Sequence, residues 1–239
     1  MVNKNLIKNL NYQNAKPFPY FSIDGMWPVN VLKKAEKEVV EFTNWDGNRS
    51  FKNAFNKKYC STYDNLPETV KQILDYCHSK DFLLILEKLT GIKNLLIDSE
   101  LRGAGIHATG NNGFLDMHTD FNFIKERKLY RRLNLLIYLN SDWKDEYNGA
   151  LELRKEGEEK QVKVYPRINT TVLFNTTNES IHGHPEPMKL PNNLYRKSIA
   201  LYYYTKEKPF ESSDDERETT TYYGGKKLSI LNRIRRKFF

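Results

Sequence analysis

Cysteine is scarce in this chain, and long apolar runs are absent. Only Cys60 and Cys77 occur in 239 residues. That is too few for a disulfide framework and fits a reducing, cytoplasmic setting. Each reads as an ordinary helix or loop residue rather than a ligand. No stretch approaches the ~20 apolar residues needed to cross a bilayer, so no membrane span is expected. Residues 1–6 lack the apolar centre of a secretory signal. Acid is missing from one place in particular. The net charge is +8, and residues 226–239 hold Lys226, Lys227, Arg233, Arg235, Arg236 and Lys237 with no acid, six of the eight. The basic character therefore belongs to a tail and does not describe the rest, which is near balance.

What is present is a hydrophobic content of 39% and an aromatic content of 13%, enough for the chain to fold around a full core. Residues 114–120 read Phe-Leu-Asp-Met-His-Thr-Asp. On a strand, side chains alternate faces, so His118 and Asp120 project to the same side and can grip one ion together. Taken alone, His-x-Asp is weak, because a surface His near an Asp is usually a solvated pair. Context strengthens it. A second histidine follows in Ser180-Ile181-His182-Gly183-His184-Pro185, and Arg196-Lys197-Ser198 heads the apolar run 199–204. Two histidines and one carboxylate form the facial arrangement that holds non-haem Fe(II) and leaves three positions open. Spacing does not choose between His182 and His184, which share a face of an extended strand. His107 reads as a core or pocket-wall residue.

Along the chain, residues 1–16 are polar and Asn/Lys-rich, expected as a loosely ordered lead-in, and 17–24 as a short extended piece. Helical spacing predicts helices over 28–42, 67–78 and 80–90. Beyond Gly91 the rhythm changes to short apolar runs, predicting strands at 101–108, 114–119, 133–139, 150–154, 161–164, 170–174, 180–183 and 198–205. Turn residues separate them, among them Gly110-Asn111-Asn112-Gly113 and Asn148-Gly149. Eight short strands after a helical stretch suggest a mainly β fold, a two-sheet jelly roll (double-stranded β-helix) with N-terminal supporting helices. The expected organisation is 1–95 for the lead-in and helices, 96–206 for the core and 207–239 for a tail. In the tail, 211–218 should be an exposed acidic linker. Residues 226–239 should form a basic amphipathic helix packed on its own domain or on a second subunit as a homodimer. Contact with nucleic acid or an anionic membrane is the lesser reading.

These residues resemble the 2-oxoglutarate- and Fe(II)-dependent oxygenases, in particular their prolyl-hydroxylase branch. The likeness rests on 113–120, on Arg131-Arg132-Leu133-Asn134-Leu135-Leu136-Ile137-Tyr138-Leu139-Asn140-Ser141-Asp142-Trp143, on Asn148-Gly149-Ala150-Leu151-Glu152-Leu153, on His182-Gly183 and on 196–204. By that resemblance His118, Asp120 and His182 ligate iron and carry catalysis, with His-Gly favouring His182. Arg196, with Ser198 and Tyr138, would bind the distal carboxylate of 2-oxoglutarate, a role that suits an always-charged bidentate guanidinium. The sequence departs from the pattern at Ala108, where some prolyl hydroxylases place a tyrosine, so Tyr138 is the first choice as a substitute cosubstrate partner.

The resemblance implies Fe(II), 2-oxoglutarate and O₂ as reactants, with ascorbate as a candidate addition. The products are succinate, CO₂ and a hydroxylated substrate. The expected partner is a protein or peptide containing proline, embraced by the polar segment 121–131. The rival readings are the same chemistry on a free amino acid or other small molecule, and a non-catalytic jelly-roll binding module.

Overall fold

The computed structural model describes residues 2–8, 10–155, 158, 161–209 and 215–223. Three amphipathic helices come first: α1 (Val29–Glu41), α2 (Glu68–His78) and α3 (Lys80–Thr90). Prolines precede α1 and α2, at Pro28 and Pro67, where a fixed φ suits a helix start. The Ser79 hydroxyl accepts the Phe82 amide to start α3, and Gly91 closes that helix in the left-handed region at φ 77. Each helix turns one face inward, with Leu32, Ala35 and Val39 from α1, Val70, Ile73, Leu74 and Cys77 from α2, and Phe82 and Leu86 from α3.

The strands are β1 (Tyr20–Asp24), β2 (Gly47–Phe51), β3 (Ala54–Cys60), β4 (Leu96–Ile97), β5 (Gly105–Thr119), β6 (Phe123–Ile124), β7 (Leu129–Tyr138), β8 (Leu151–Arg154), β9 (Gln161–Val164), β10 (Thr170–Asn175), β11 (Ile181–His184), β12 (Arg196–Thr205) and β13 (Thr221–Tyr222). Eight of them run in the order β1-β10-β7-β12-β5-β11-β8-β9, with β3 and β13 pairing β5, β2 pairing β3, β4 pairing β12 and β6 pairing β7 off this path, and all pairings are antiparallel. The result is a nearly closed double-stranded β-helix, the jelly roll expected from the strand count. The long strand β5 belongs to both sheets. Its first half, 105–109, pairs with β12, and its second half pairs with β11 through His118–His182 and Leu115–His184. The predicted turn at 110–113 is instead the point where β5 bends between sheets. Asn112 takes φ 58 there, and a Cβ on Gly113 would lie 2.4 Å from Thr109.

Strand alternation divides the interior. Leu133, Leu135 and Ile137 of β7, Leu173 of β10 and Ile199, Leu201 and Tyr203 of β12 meet the three helices in the main core. Each such fully buried aliphatic side chain contributes roughly 1.5–3 kcal/mol. The alternate residues face inside the roll, where Tyr138, Leu151, Leu153, Val172 and Phe174 fill one end. The other end is left to polar side chains.

Several expectations are corrected. The lead-in is not loose. Val2, Ile7 and Tyr12 join the main core, and the Tyr12 hydroxyl donates to Asn175 Oδ1 at 2.7 Å. Cys60 lies on a strand, and both thiols are buried and free. Of the acidic stretch 211–218, residues 211–214 lie outside the described residues and Asp215, Glu216 and Glu218 are exposed as expected, but the chain over 215–223 is held against the domain. The Asn122 side chain accepts the Arg217 amide at 2.8 Å, and β13 pairs with the edge of β5 at Thr119 and His118. That edge supplies unpaired backbone groups, which explains why a polar stretch settles on it. The basic helix expected over 226–239 lies outside the described residues. Among the described residues no helix is long and apolar enough to cross a membrane.

Candidate metal centre

His118 sits near the end of β5, Asp120 just beyond it, and His182 on the neighbouring strand β11, directly opposite His118 in register. The ladder thus joins two residues far apart in sequence. His118 Nε2 is 3.6 Å from Asp120 Oδ1, and His182 Nε2 is 3.3 Å from Asp120 Oδ2. One donor atom from each of the three lies within 4.8 Å of the others. The two imidazole centroids are 4.3 Å apart.

The far side of each ring is fixed by backbone. His118 Nδ1 bonds the Asp116 carbonyl at 2.8 Å, and His182 Nδ1 bonds the Ser180 carbonyl at 3.0 Å. A carbonyl can only accept, so the proton belongs on Nδ1 and the Nε2 lone pairs point at the cluster. Burial and the neighbouring His182 lower the pKa of His118 below the ordinary histidine value, which favours the neutral form a metal requires. Burial alone would raise the pKa of Asp120. Arg131 and the two imidazoles outweigh it and hold the carboxyl well below the usual range.

Asp120 is braced from behind. Its Oδ2 accepts Arg131 Nη2 at 2.9 Å and Asn134 Nδ2 at 2.7 Å, while Arg131 Nε donates to Asn134 Oδ1 at 2.8 Å. The Arg131 guanidinium also lies 3.4 Å over the Tyr202 ring. These braces were not assigned from sequence. The available signal was Asn134, a polar residue set inside the apolar run 133–139.

Arg196 begins β12 and is buried. Its Nε donates to the Gly149 carbonyl at 2.7 Å and its Nη2 to the Tyr138 hydroxyl at 3.0 Å. No carboxylate lies within ion-pair distance of it among the described residues. A buried guanidinium held by two neutral oxygens retains donors for an anion. Ser198, two residues on, shares its face, and Arg196, Ser198 and the three clustered residues line one cavity of about 150 Å³. Tyr138 does not line that cavity. It is fully buried in the apolar plug and stands behind Arg196, orienting it. His107 and His184 both line the wall, and His184 lies outside the metal cluster because the β11–β5 register shifts between His182 and His184. Ala108, in the pattern position, does not line the cavity, whereas His107 and Thr109 do.

The segment expected to embrace a substrate, 121–131, is a pinned hairpin. β6 pairs with β7, and Arg127 is tied to Asp98 at 2.7 Å. Only its ends, Phe121 and Arg131, reach the cavity. The lining is completed instead by Arg49, Phe51 and Lys57 from the β2–β3 hairpin and by Tyr222 from β13. Tyr222 packs 5.5 Å from the His118 ring.

Residues 104–204, which carry every clustered residue and Arg196, match the family model of the 2OG-Fe(II) oxygenase superfamily. The likeness to that superfamily covers this core, less than half of the chain. The donor set suits the family's ion, since two neutral imidazoles and one carboxylate converge on one side and leave the other side to the cavity. No curated protein sequence matches the chain. Among solved structures, the chain resembles in fold a prolyl hydroxylase from Trichoplax adhaerens crystallised with a hypoxia-inducible-factor oxygen-degradation-domain peptide. The TM-score is 0.60 at 18% identity over 85% of this chain and 89% of that one. A Pseudomonas putida prolyl-4-hydroxylase gives 0.52 at 12% identity over 79% and 93%. HygX from Streptomyces hygroscopicus, crystallised with nickel, 2-oxoglutarate and hygromycin B, gives 0.53 at 10% identity over 85% and 91%. At these identities the likeness establishes the fold.

Proposed function

We propose that the protein is an Fe(II)- and 2-oxoglutarate-dependent dioxygenase that hydroxylates a prolyl residue of a protein or peptide. The observation that carries the reading is the convergence of His118, Asp120 and His182 in one cavity with Arg196, a buried cation that has no acid partner among the described residues. A non-catalytic module would have no need to keep this set intact. When bound, iron and 2-oxoglutarate supply the oxidative chemistry, releasing succinate and CO₂ and giving one oxygen atom to the substrate.

The chain's residues do the rest. His118 and His182 present Nε2 because the Asp116 and Ser180 carbonyls hold the opposite nitrogens. Asp120 has its Oδ2 tied to Arg131 and Asn134, leaving Oδ1 for the ion. Arg196, oriented by Gly149 and Tyr138, receives the distal carboxylate, with Ser198 beside it. Phe51, Phe121 and Tyr222 give the cavity lining aromatic rings suited to a prolyl ring and to excluding water. The peptide-bound Trichoplax enzyme, of the same fold, supports a peptide substrate. A second reading, a small-molecule substrate, has the support of HygX, whose crystals hold hygromycin B.

The test is succinate release in the presence of Fe(II), 2-oxoglutarate and O₂, together with mass spectrometry of proline-containing peptides for a gain of one oxygen. Turnover should vanish in His118→Ala along with metal binding. Wild-type protein that binds neither Fe(II) nor Mn(II) and releases no succinate would overturn the reading, whereas oxygen gain on amino acids or aminoglycosides alone would select the small-molecule alternative.

A further inference from the structure

A row of positive side chains crosses one wall of the cavity. In the β2–β3 hairpin Arg49 lies opposite Lys57, Lys57 lies opposite Thr109 of β5, and Thr109 lies opposite Arg196 of β12. Four adjacent strands therefore place Arg49, Lys57, Thr109 and Arg196 in one hydrogen-bonded row, and all four line the cavity. With strands ~4.8 Å apart, the Lys57 and Arg196 backbones stand roughly 10 Å apart, within reach of each other's side chains. Like charges placed directly opposite one another in a sheet are unfavourable. Among the described residues, the sole carboxylate lining the cavity is Asp120, which already has Arg131, Asn134 and the two histidines around it. Neither Lys57 nor Arg49 forms an ion pair among the described residues. The repulsion registers on Lys57 itself, whose pKa is pulled down to about 8 by burial, then by Arg49 and Arg196.

We propose that Lys57 is a second cationic anchor for 2-oxoglutarate, holding the dicarboxylate from the β3 side of the cavity while Arg196 holds it from β12. This rests on the oxygenase reading above. The row is graded: Arg49 is exposed, Lys57 half-buried and Arg196 buried. An anion entering at the hairpin is thus passed inward toward Arg196. The alternative use of Lys57, an acidic group on the primary substrate, is separated by the test.

Full-length protein loaded with Mn(II) is titrated anaerobically with 2-oxoglutarate in a calorimeter. Lys57→Met should weaken 2-oxoglutarate binding about tenfold, the effect of removing one charge-assisted contact, with Mn(II) affinity and circular dichroism unchanged. Lys57→Arg should keep most of the affinity. Lys58→Met serves as the control, because Lys58 lies off the cavity wall with its Nζ over the Tyr195 ring, and it should bind as wild type does. Wild-type affinity in Lys57→Met, with wild-type protein binding normally, would overturn this inference alone and leave the lysine to the primary substrate. Failure of the wild-type Mn(II) protein to bind 2-oxoglutarate would overturn the oxygenase reading and this inference with it.

Discussion

Arg131 and Asp120 form a buried ion pair, Nη2 to Oδ2 at 2.9 Å, directly behind the two imidazoles. The pair separates the carboxylate's oxygens by task. One is committed to the guanidinium and to Asn134, and the other stays beside His118. A ligand carboxylate free to rotate would have to be ordered by the ion itself, and here the fold orders it first.

Removing Arg131 should therefore hurt stability and metal binding together. Arg131→Met leaves the Asp120 charge buried with Asn134 as its remaining neutral brace, and breaking such a pair costs about 3–5 kcal/mol. Mn(II) should return part of that loss, because a cation at the cluster replaces the missing charge. Denaturant unfolding with and without Mn(II) measures both effects. A loss no larger than about 1 kcal/mol, the value for an exposed pair, would show that the bond carries no such weight.

Gly183 explains the His-Gly pair in physical terms. It sits where β11 crosses close to β5, and a Cβ there would lie 2.9 Å from the carbonyl oxygens of both Leu115 and Asp116. Asp116 is also the residue whose carbonyl fixes His118. Gly183→Ala should push β11 away from β5 and displace both imidazoles, lowering stability by about 1–3 kcal/mol and metal affinity by about 10–100-fold. Mn(II) titration alongside thermal unfolding checks this. An alanine variant that binds Mn(II) as wild type does would show that the close approach has no bearing on the centre.

The sequence was legible where one periodicity dominated. The helices over 28–42, 67–78 and 80–90 appear as α1, α2 and α3 because each carries one apolar face against a single layer. The β2–β3 hairpin was not read as strand, and its burial shows why. Residues 48–51 are exposed, and 55–59 are half-buried on both faces, so no alternation marks them. The turn expected at 110–113 failed for a different reason. Gly and Asn accommodate a bend inside a strand as well as a turn between two, and only the partners β12 and β11 decide between them. In the site, His118 and Asp120 could be paired by spacing alone. Opposition of His182 to His118, bracing by Arg131, and the place of Lys57 beside Thr109 are cross-strand relations that no local pattern encodes.

The hairpin that carries Arg49 and Lys57 is closed at its open end by Asp46. Its Oδ2 accepts the Ser61 amide at 2.6 Å, the Thr62 amide at 2.9 Å and the Thr62 hydroxyl at 3.1 Å. Burial would raise the pKa of this carboxyl, but the backbone bonds from Ser61 and Thr62 hold it below its ordinary value. A carboxyl depressed in the folded state adds stability that is complete above its unfolded pKa, about 3.9, and is lost as pH falls through the folded value. Asp46→Asn removes the charge at every pH. The variant should therefore be less stable than wild type at neutral pH, and the gap should close as pH falls below about 4. Comparing the two proteins at each pH cancels the other carboxylates that titrate in the same range. Hydrogen exchange at the Ser61 and Thr62 amides should be faster in the variant at neutral pH. A stability gap that does not change between neutral pH and pH 3 would mean that the Asp46 charge does not hold the hairpin closed.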